Sequence, residues 1–253
     1  MTAVLPDVRS GEVQTSPTIL LLPGNMCDER IWGKIALECA GATIAAPVPP
    51  GDTIDKMARH CLEHFPGPLI PIGFSMGGIV ALAMADMEPR RIYGLGLIDT
   101  NPFADAPERA AQRPGQQRRI ISGSLSDLVE DELLPNYLGA ANRHDAQLRS
   151  IILAMAEKLG PAVFVAQSEA LRTRPSYDHV LERLDVPVFV ACGEEDRLCP
   201  PAAHESFAAR IADAELHIIA GAGHMLPMEQ PKILTSLLCR WLSETLMAEE
   251  TEA

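Results

Sequence analysis

Long apolar runs are missing from this sequence. None approaches the roughly 18–20 consecutive apolar residues that cross a membrane as a helix. Residues 1–16 also lack a basic start followed by an apolar stretch, which is the pattern of a secretory signal. We therefore expect a cytoplasmic protein that does not bind a membrane.

Positive charge is scarce as well. Against 34 Asp and Glu residues there are 21 Lys and Arg residues, which gives a formal net charge of −13. Nucleic acids and anionic membranes are bound by clustered Lys and Arg, so this balance predicts neither as a partner. The same charge balance does not exclude a small-molecule substrate.

The cysteines lack the close pairing that metal sites use, so we expect no metal. In a reducing compartment we expect them to be free thiols. The six are Cys27, Cys39, Cys61, Cys192, Cys199 and Cys239.

What the sequence does contain is an alternation of short apolar runs with segments of helical spacing. The 253 residues, 47% hydrophobic, suit one globular domain with a substantial core. The alternation predicts an α/β fold, a parallel sheet with helices on both faces. Strands are predicted at 18–22, 43–46, 69–72, 92–98, 186–192 and 215–219, and helices at 29–40, 54–65, 76–88 and 226–247. Pro71 weakens the third strand because proline lacks a ladder donor.

Residues 101–183 interrupt this alternation because they contain no good strand pattern. The segment is rich in Arg, Gln, Ala and Leu and predicts several helices. Since it lies between two predicted sheet strands, we expect a helical cap inserted in a core made of residues 1–100 and 184–253. Residues 1–16 and 248–253 are predicted to be loose termini.

A nucleophile elbow is predicted by the sequence Gly73-Phe74-Ser75-Met76-Gly77, which follows a strand and opens a helix. The tight turn would point the Ser75 hydroxyl out of the sheet, and glycines on either side avoid clashes there. The helix amino terminus would present free N–H groups to a developing oxyanion. Ser75 is therefore the candidate nucleophile.

A serine nucleophile needs a base, and the base needs an acid that orients it. Of the seven histidines, His224 is the candidate because it follows a strand in a glycine-rich loop, at the sheet edge that also holds the elbow. Asp196 leaves the end of the preceding strand and is the preferred acid. Glu194 and Glu195 are its near rivals, and Asp99 is a more distant one.

Two backbone N–H groups would complete an oxyanion hole. One is that of Met76, just after the nucleophile. The other is predicted in the loop after the first strand, where the N–H of Asn25 is preferred and that of Met26 is the alternative.

Taken together in this order, these motifs resemble the α/β-hydrolase superfamily, in particular its small capped serine carboxylesterases, enol-lactonases and C–C hydrolases. The resemblance rests on Leu22-Pro-Gly-Asn25, the elbow, Leu97-Ile-Asp-Thr100, Cys192-Gly-Glu-Glu-Asp-Arg-Leu-Cys-Pro200 and Gly221-Ala-Gly-His-Met225. It implies cofactor-free ester hydrolysis through an acyl-enzyme, with the cap shaping the acyl pocket. Many relatives carry His-Gly where this chain has Pro23-Gly24. A serine rather than an aspartate at position 75 disfavours the dehalogenase and epoxide-hydrolase branches.

The sequence leaves the substrate and the oligomeric state open. Lactone or C–C hydrolysis would use the same triad, and a non-catalytic ligand-binding protein could keep it. Apolar residues of the insertion are candidates for an acyl pocket or for the insertion's own core: Ile120, Ile121, Leu125, Leu128, Ile151, Leu153, Met155 and Phe164. Its arginines are expected mainly on a solvated face, with contact between one of them and a substrate carboxylate as the alternative: Arg109, Arg113, Arg118, Arg119, Arg143, Arg149 and Arg172.

Overall fold

A six-stranded sheet forms the centre of the molecule, a computed structural model that describes residues 16–33, 35 and 42–252. The strand order is β2-β1-β3-β4-β5-β6, and every pairing between these described strands is parallel. The prediction of a parallel α/β sheet is confirmed. The strands are β1 (Thr18–Leu22), β2 (Thr43–Ala45), β3 (Leu69–Phe74), β4 (Leu95–Ile98), β5 (Val188–Gly193) and β6 (Ala214–Ile219).

Both faces of the central strands β1, β3, β4 and β5 are buried, as alternate residues of β1 illustrate. Ile19 and Leu21 enter one hydrophobic core, and Leu20 and Leu22 enter the other. Helices cover these faces: α1 (Ile54–His64), α2 (Met76–Met87), α8 (Pro201–Ala208), α9 (Leu226–Glu229) and α10 (Pro231–Glu252).

Strand β3 tolerates a proline although it lies inside the sheet. Pro71 falls between an isolated bridge that joins Leu69 to Ile92 and the start of the β3–β4 ladder at Ile72. Its missing N–H therefore interrupts the pairing with β4 and not that with β1, which is continuous from Thr18 to Leu22.

Only helices and turns occupy the described chain between β4 and β5. The elements are α3 (Pro107–Ser122), α4 (Leu125–Leu128), a π-helical turn (Val129–Leu133), α5 (Leu134–Tyr137), α6 (Ala146–Thr173) and α7 (Asp178–Leu181). Helix α6 breaks at Gly160, whose φ is 78°. Part of this inserted segment packs onto the core: Ile120, Leu128, Met155 and Phe164 are buried in one of the two hydrophobic clusters.

Several predicted boundaries need correction. The helix predicted at 226–247 is two helices, separated at Gln230, because Pro231 begins a new helix and supplies no N–H to the old one. Its second part runs to Glu252, through most of the predicted loose terminus. Of the helix predicted at 29–40, a 3-10 turn at Glu29–Trp32 is seen, and residues 34 and 36–41 lie outside the described residues, as do 1–15. The described helices include none that combines the length and apolar character of a membrane span.

Candidate active site

Ser75 lies in a strained turn between β3 and α2, with a φ of 53°. The surrounding backbone is packed so closely that a methyl group at Gly73 would collide with Gly77, and one at Gly77 would collide with the carbonyl oxygen of Leu22. The N–H of Ser75 donates to the carbonyl of Ile98 on β4 (2.8 Å). The glycines therefore permit a turn that the neighbouring strands hold in place.

The structure brings the three predicted triad residues together. Nε2 of His224 lies 3.0 Å from Oγ of Ser75, and Nδ1 of His224 lies 2.9 Å from Oδ2 of Asp196. His224 sits in the loop after β6, and Asp196 in the loop after β5, so both reach the carboxyl edge of the sheet. The rings of Phe74 and Tyr137 flank the imidazole, with centroids 5.4 and 5.8 Å away.

Asp196 is 3% exposed, and its two carboxylate oxygens have different hydrogen-bond partners. Oδ2 faces His224, while Oδ1 accepts hydrogen bonds from the N–H groups of Leu198 (2.8 Å) and Cys199 (3.0 Å). Burial alone would raise the pKa of this carboxyl, but the charge and hydrogen bond of His224, with the two backbone donors, hold the pKa below its usual value. An ionised carboxylate can then stabilise a positive charge on the imidazole.

The rival acids do not contact His224. Asp99 is fully buried and accepts hydrogen bonds from the N–H groups of Gly193 (2.9 Å) and Leu226 (3.2 Å), so it joins the end of β5 to the start of α9. Burial, followed by the charge of Asp196, raises the pKa of Asp99 well above its usual value. Glu195 instead accepts from the N–H of Ala140 in the inserted segment.

Gln167 of α6, which sequence reasoning missed, holds the loop after β1. Its Oε1 accepts a hydrogen bond from the N–H of Met26 (2.8 Å) and another from the side-chain amide of Asn25 (3.1 Å). The N–H of Met26 is therefore occupied, which favours Asn25 over Met26 as the oxyanion donor. Gln167 is 2% exposed, and Met26 has a φ of 55°, so the side chain fixes a strained turn.

A cavity of about 430 Å³ opens onto Ser75 and His224. The apolar residues that the sequence left between an acyl pocket and the insertion's own core do not line it: most are packed in or against the hydrophobic core, and Ile121 is 76% exposed. Two of the arginines for which the sequence left a solvated face and a substrate contact open, Arg109 and Arg113, line the cavity. Glu132, Arg174 and Arg197 line it as well.

One set of three possible metal ligands occurs among the described residues. Asp196, Cys199 and His224 each place a ligand atom within 4.8 Å of the others. Burial raises the pKa of the Cys199 thiol well above its usual value, which disfavours the thiolate that a metal would need. Among the described residues, Cys27, Cys61 and Cys192 are free thiols, and Cys39 lies outside the described residues.

Known proteins resemble this chain in sequence. The family model described as "Serine aminopeptidase, S33" matches residues 52–231. A pimeloyl-[acyl-carrier protein] methyl ester esterase from Aromatoleum aromaticum is 28% identical over 236 residues, which cover 85% of this chain and 94% of the relative. One from Cronobacter sakazakii is 30% identical over 189 residues, 71% of each chain.

Solved structures resemble it in fold. A thermophilic esterase from Thermogutta terrifontis superposes with a TM-score of 0.82 and 27% identity, covering 91% of both chains. An enol-lactonase from Burkholderia xenovorans LB400 superposes with a TM-score of 0.74 and 20% identity, over 92% of this chain and 94% of that one.

Proposed function

The chain belongs to the serine aminopeptidase S33 family of α/β-hydrolases and is an enzyme of the carboxylesterase type, and from this premise we propose that it cleaves small-molecule esters through a Ser75–His224–Asp196 triad. The predicted α/β-hydrolase fold and family are confirmed. The observation that carries the proposed mechanism is the continuous chain of hydrogen bonds from Oγ of Ser75 through His224 to Asp196.

In the first half of the reaction, Oγ of Ser75 attacks the ester carbonyl while Nε2 of His224 accepts the hydroxyl proton. Asp196 keeps the other proton on Nδ1 and stabilises the imidazolium. The N–H groups of Asn25 and Met76 bind the oxyanion, each contributing roughly 3 kcal/mol to lowering the barrier. Collapse of the tetrahedral intermediate breaks the C–O bond, and His224 gives its proton to the leaving alcohol.

In the second half, water attacks the acyl-enzyme ester on Ser75. His224 accepts a proton from that water and then returns it to Oγ of Ser75, so the acid product leaves and the enzyme is regenerated. No cofactor takes part in either half. The inserted segment, residues 101–183, serves as a cap, since Tyr137 and Leu171 from it line the cavity above Ser75.

The relatives named as methyl ester esterases support an ester as the substrate. We expect Ser75→Ala to abolish hydrolysis of 4-nitrophenyl butyrate, because the replacement removes the attacking oxygen while leaving the fold intact. Initial rates at pH 8 with purified proteins would measure this. Ser236→Ala, which changes an exposed serine of α10, is the matched control and should keep wild-type rates.

A fluorophosphonate probe separates this enzyme from a ligand-binding protein that merely keeps the triad. We expect the probe to label wild type at Ser75 and to leave Ser75→Ala unlabelled. Ester turnover by Ser75→Ala above the buffer rate would refute the assignment. Wild type that cleaves lactones or C–C bonds in preference to esters would support the alternative reaction with the same triad.

A further inference from the structure

We propose that the cavity over Ser75 binds an anionic group of the substrate, of the carboxylate or phosphate type, through a cluster of arginines. This inference rests on the proposed esterase function and names its substrate class: esters that carry a negative charge. The arginine cluster consists of Arg109, Arg113, Arg174 and Arg197, all of which line the cavity.

Helix α3 supplies one wall of the cavity with polar side chains. Arg109, Gln112, Arg113 and Gln116 all line it, and their spacing of three, one and three residues places them on one helix face. An acyl pocket for a neutral aliphatic chain would present apolar side chains at these positions. A wall of guanidinium and amide groups instead suits a ligand that accepts hydrogen bonds.

Positive charge in the cluster exceeds its local counter-charge. Asp105 is 1% exposed at its side chain and faces two arginines at once: Arg113 at 2.6 Å and Arg174 at 3.3 Å. One carboxylate therefore serves two guanidinium groups. Burial lowers the pKa of Arg174, the charge of Asp105 opposes that shift, and the charges of Arg113 and Arg109 add to it. A bound anion would relieve this repulsion.

The two remaining arginines have no acidic partner among the described residues. Arg109 donates to the backbone carbonyl of Leu198 (3.2 Å), and Arg197 makes no hydrogen bond or ion pair with that part of the chain. The one acidic side chain among the non-catalytic lining residues, Glu132, is paired with Arg119 at 2.7 Å. Arginines in this arrangement offer paired donors that fit carboxylate and phosphate oxygens.

The charge of the whole protein makes this cluster more informative. At a net charge of −13, the chain carries far more acidic than basic residues, yet the cavity wall carries four arginines and a single glutamate besides the catalytic groups. Placing scarce positive charge around the nucleophile would raise the local concentration of an anionic substrate.

Matched pairs of esters test the proposal. The anionic members are mono-4-nitrophenyl esters of dicarboxylic acids from succinate to suberate, and the neutral members are 4-nitrophenyl esters of the same chain length. We expect wild type to favour the anionic member, and Arg109→Gln and Arg197→Gln each to lower the ratio of the two kcat/KM values about tenfold, since each removes a charged hydrogen-bond donor. Arg197 is exposed and has no partner within the described part of the chain, so its replacement leaves no buried group there without a partner.

Arg118→Gln is the control, because it removes a positive charge from an exposed position of the same helix that does not line the cavity. It should leave the ratio of kcat/KM values unchanged. Competition by adipate and by butyl phosphate against 4-nitrophenyl butyrate would show which anion is preferred. Inhibition by either one, weakened in Arg109→Gln, supports the proposal.

The outcomes separate this proposal from the proposed esterase function. If neutral and anionic esters are cleaved equally well and the ratio is the same in all variants, the anion site is refuted and the esterase stands. If no ester is cleaved, calorimetry with adipate decides: binding that is lost in Arg109→Gln keeps the anion site, and absence of millimolar binding refutes it.

Discussion

At the residue scale, one glutamine connects the inserted segment to the loop that carries the proposed oxyanion donor. Gln167 accepts hydrogen bonds from the N–H of Met26 and from the side chain of Asn25, and the loop that it holds carries the proposed oxyanion donor. No sequence motif marks it, because its partners lie more than 140 positions away, with sequence separations of 142 and 141. Such a contact exists only once α6 lies against the loop after β1.

Replacing this side chain should impair catalysis more than substrate binding. We expect Gln167→Leu to lower kcat of ester hydrolysis at least tenfold, because it leaves the buried N–H of Met26 without an acceptor, at a cost of about 1–3 kcal/mol, and frees the adjacent Asn25. KM should change much less. Steady-state kinetics of wild type and variant on 4-nitrophenyl butyrate would separate the two parameters.

Gln117→Leu is the control for this experiment. Gln117 also lies in the inserted segment and also bonds to α6, through Ser168 and Glu169, but it does not touch the loop after β1. Its replacement should leave kcat near the wild-type value. Equal losses in both variants would mean that Gln167 acts through general stability and not by positioning the oxyanion donor.

At the scale of elements, the elbow is the place where the sequence was most informative. A strand, a tight turn and a helix could be predicted from Gly73 to Gly78 because the spacing of the glycines around Ser75 is a local pattern typical of a strand-to-helix turn. The chain order of serine, acid and histidine then predicted partners that the structure brings within hydrogen-bond distance.

The cavity wall could not be predicted in the same way. On α3 the spacing of Arg109, Gln112, Arg113 and Gln116 indicates one polar helix face, but a polar face normally meets solvent. Whether it faces solvent or a cavity depends on how α3 packs against α6, which is a tertiary contact. By contrast, Pro231 alone indicates a break in the helix predicted at 226–247, and the prediction did not use it.

The close packing of the elbow against β1 also leads to a prediction about the stability of the fold. Gly77→Ala should lower the free energy of unfolding by about 3 kcal/mol or more, because the new methyl group would collide with the backbone of β1 at Leu22. Urea denaturation followed by circular dichroism would measure the change. Gly115→Ala is the matched control: apart from the adjoining residues and backbone of its own helix, no described atom lies within 4 Å of the added methyl. In a helix the replacement should stabilise by up to about 1 kcal/mol. Equal midpoints for Gly77→Ala and wild type would contradict the close packing.

At the scale of the whole molecule, the core residues before the inserted segment must pack against those after it. Two buried polar groups connect these parts of the core. Asp99, at the end of β4, accepts hydrogen bonds from the N–H groups of Gly193 and Leu226. His204 of α8 accepts a hydrogen bond at Nε2 from the N–H of Thr100 (3.1 Å). The partners of Asp99 flank the catalytic loops, since Gly193 precedes Asp196 and Leu226 follows His224. Loss of either would loosen the core and the site together.

The histidine bridge makes the stability of the whole protein depend on pH. His204 is 0% exposed, and burial lowers its pKa from 6.5 to about 4, against the opposing effects of the Pro200 carbonyl and the charge of Asp196. Between these two pH values the unfolded chain therefore binds more protons than the native one. The contribution of neutral His204 to the free energy of unfolding is lost as the pH falls from 6.5 to 4, by on the order of 3 kcal/mol.

We expect His204→Gln to be less stable than wild type at pH 7. The gap in unfolding free energy should close towards pH 4, because protonated His204 can no longer accept the N–H of Thr100. Urea unfolding of both proteins across this range would measure the gap, with His144→Gln as the control for an exposed histidine. Asp99 and the other acids are common to both proteins, so most of their titration cancels in the difference. A gap that stays constant with pH would contradict the role assigned to His204.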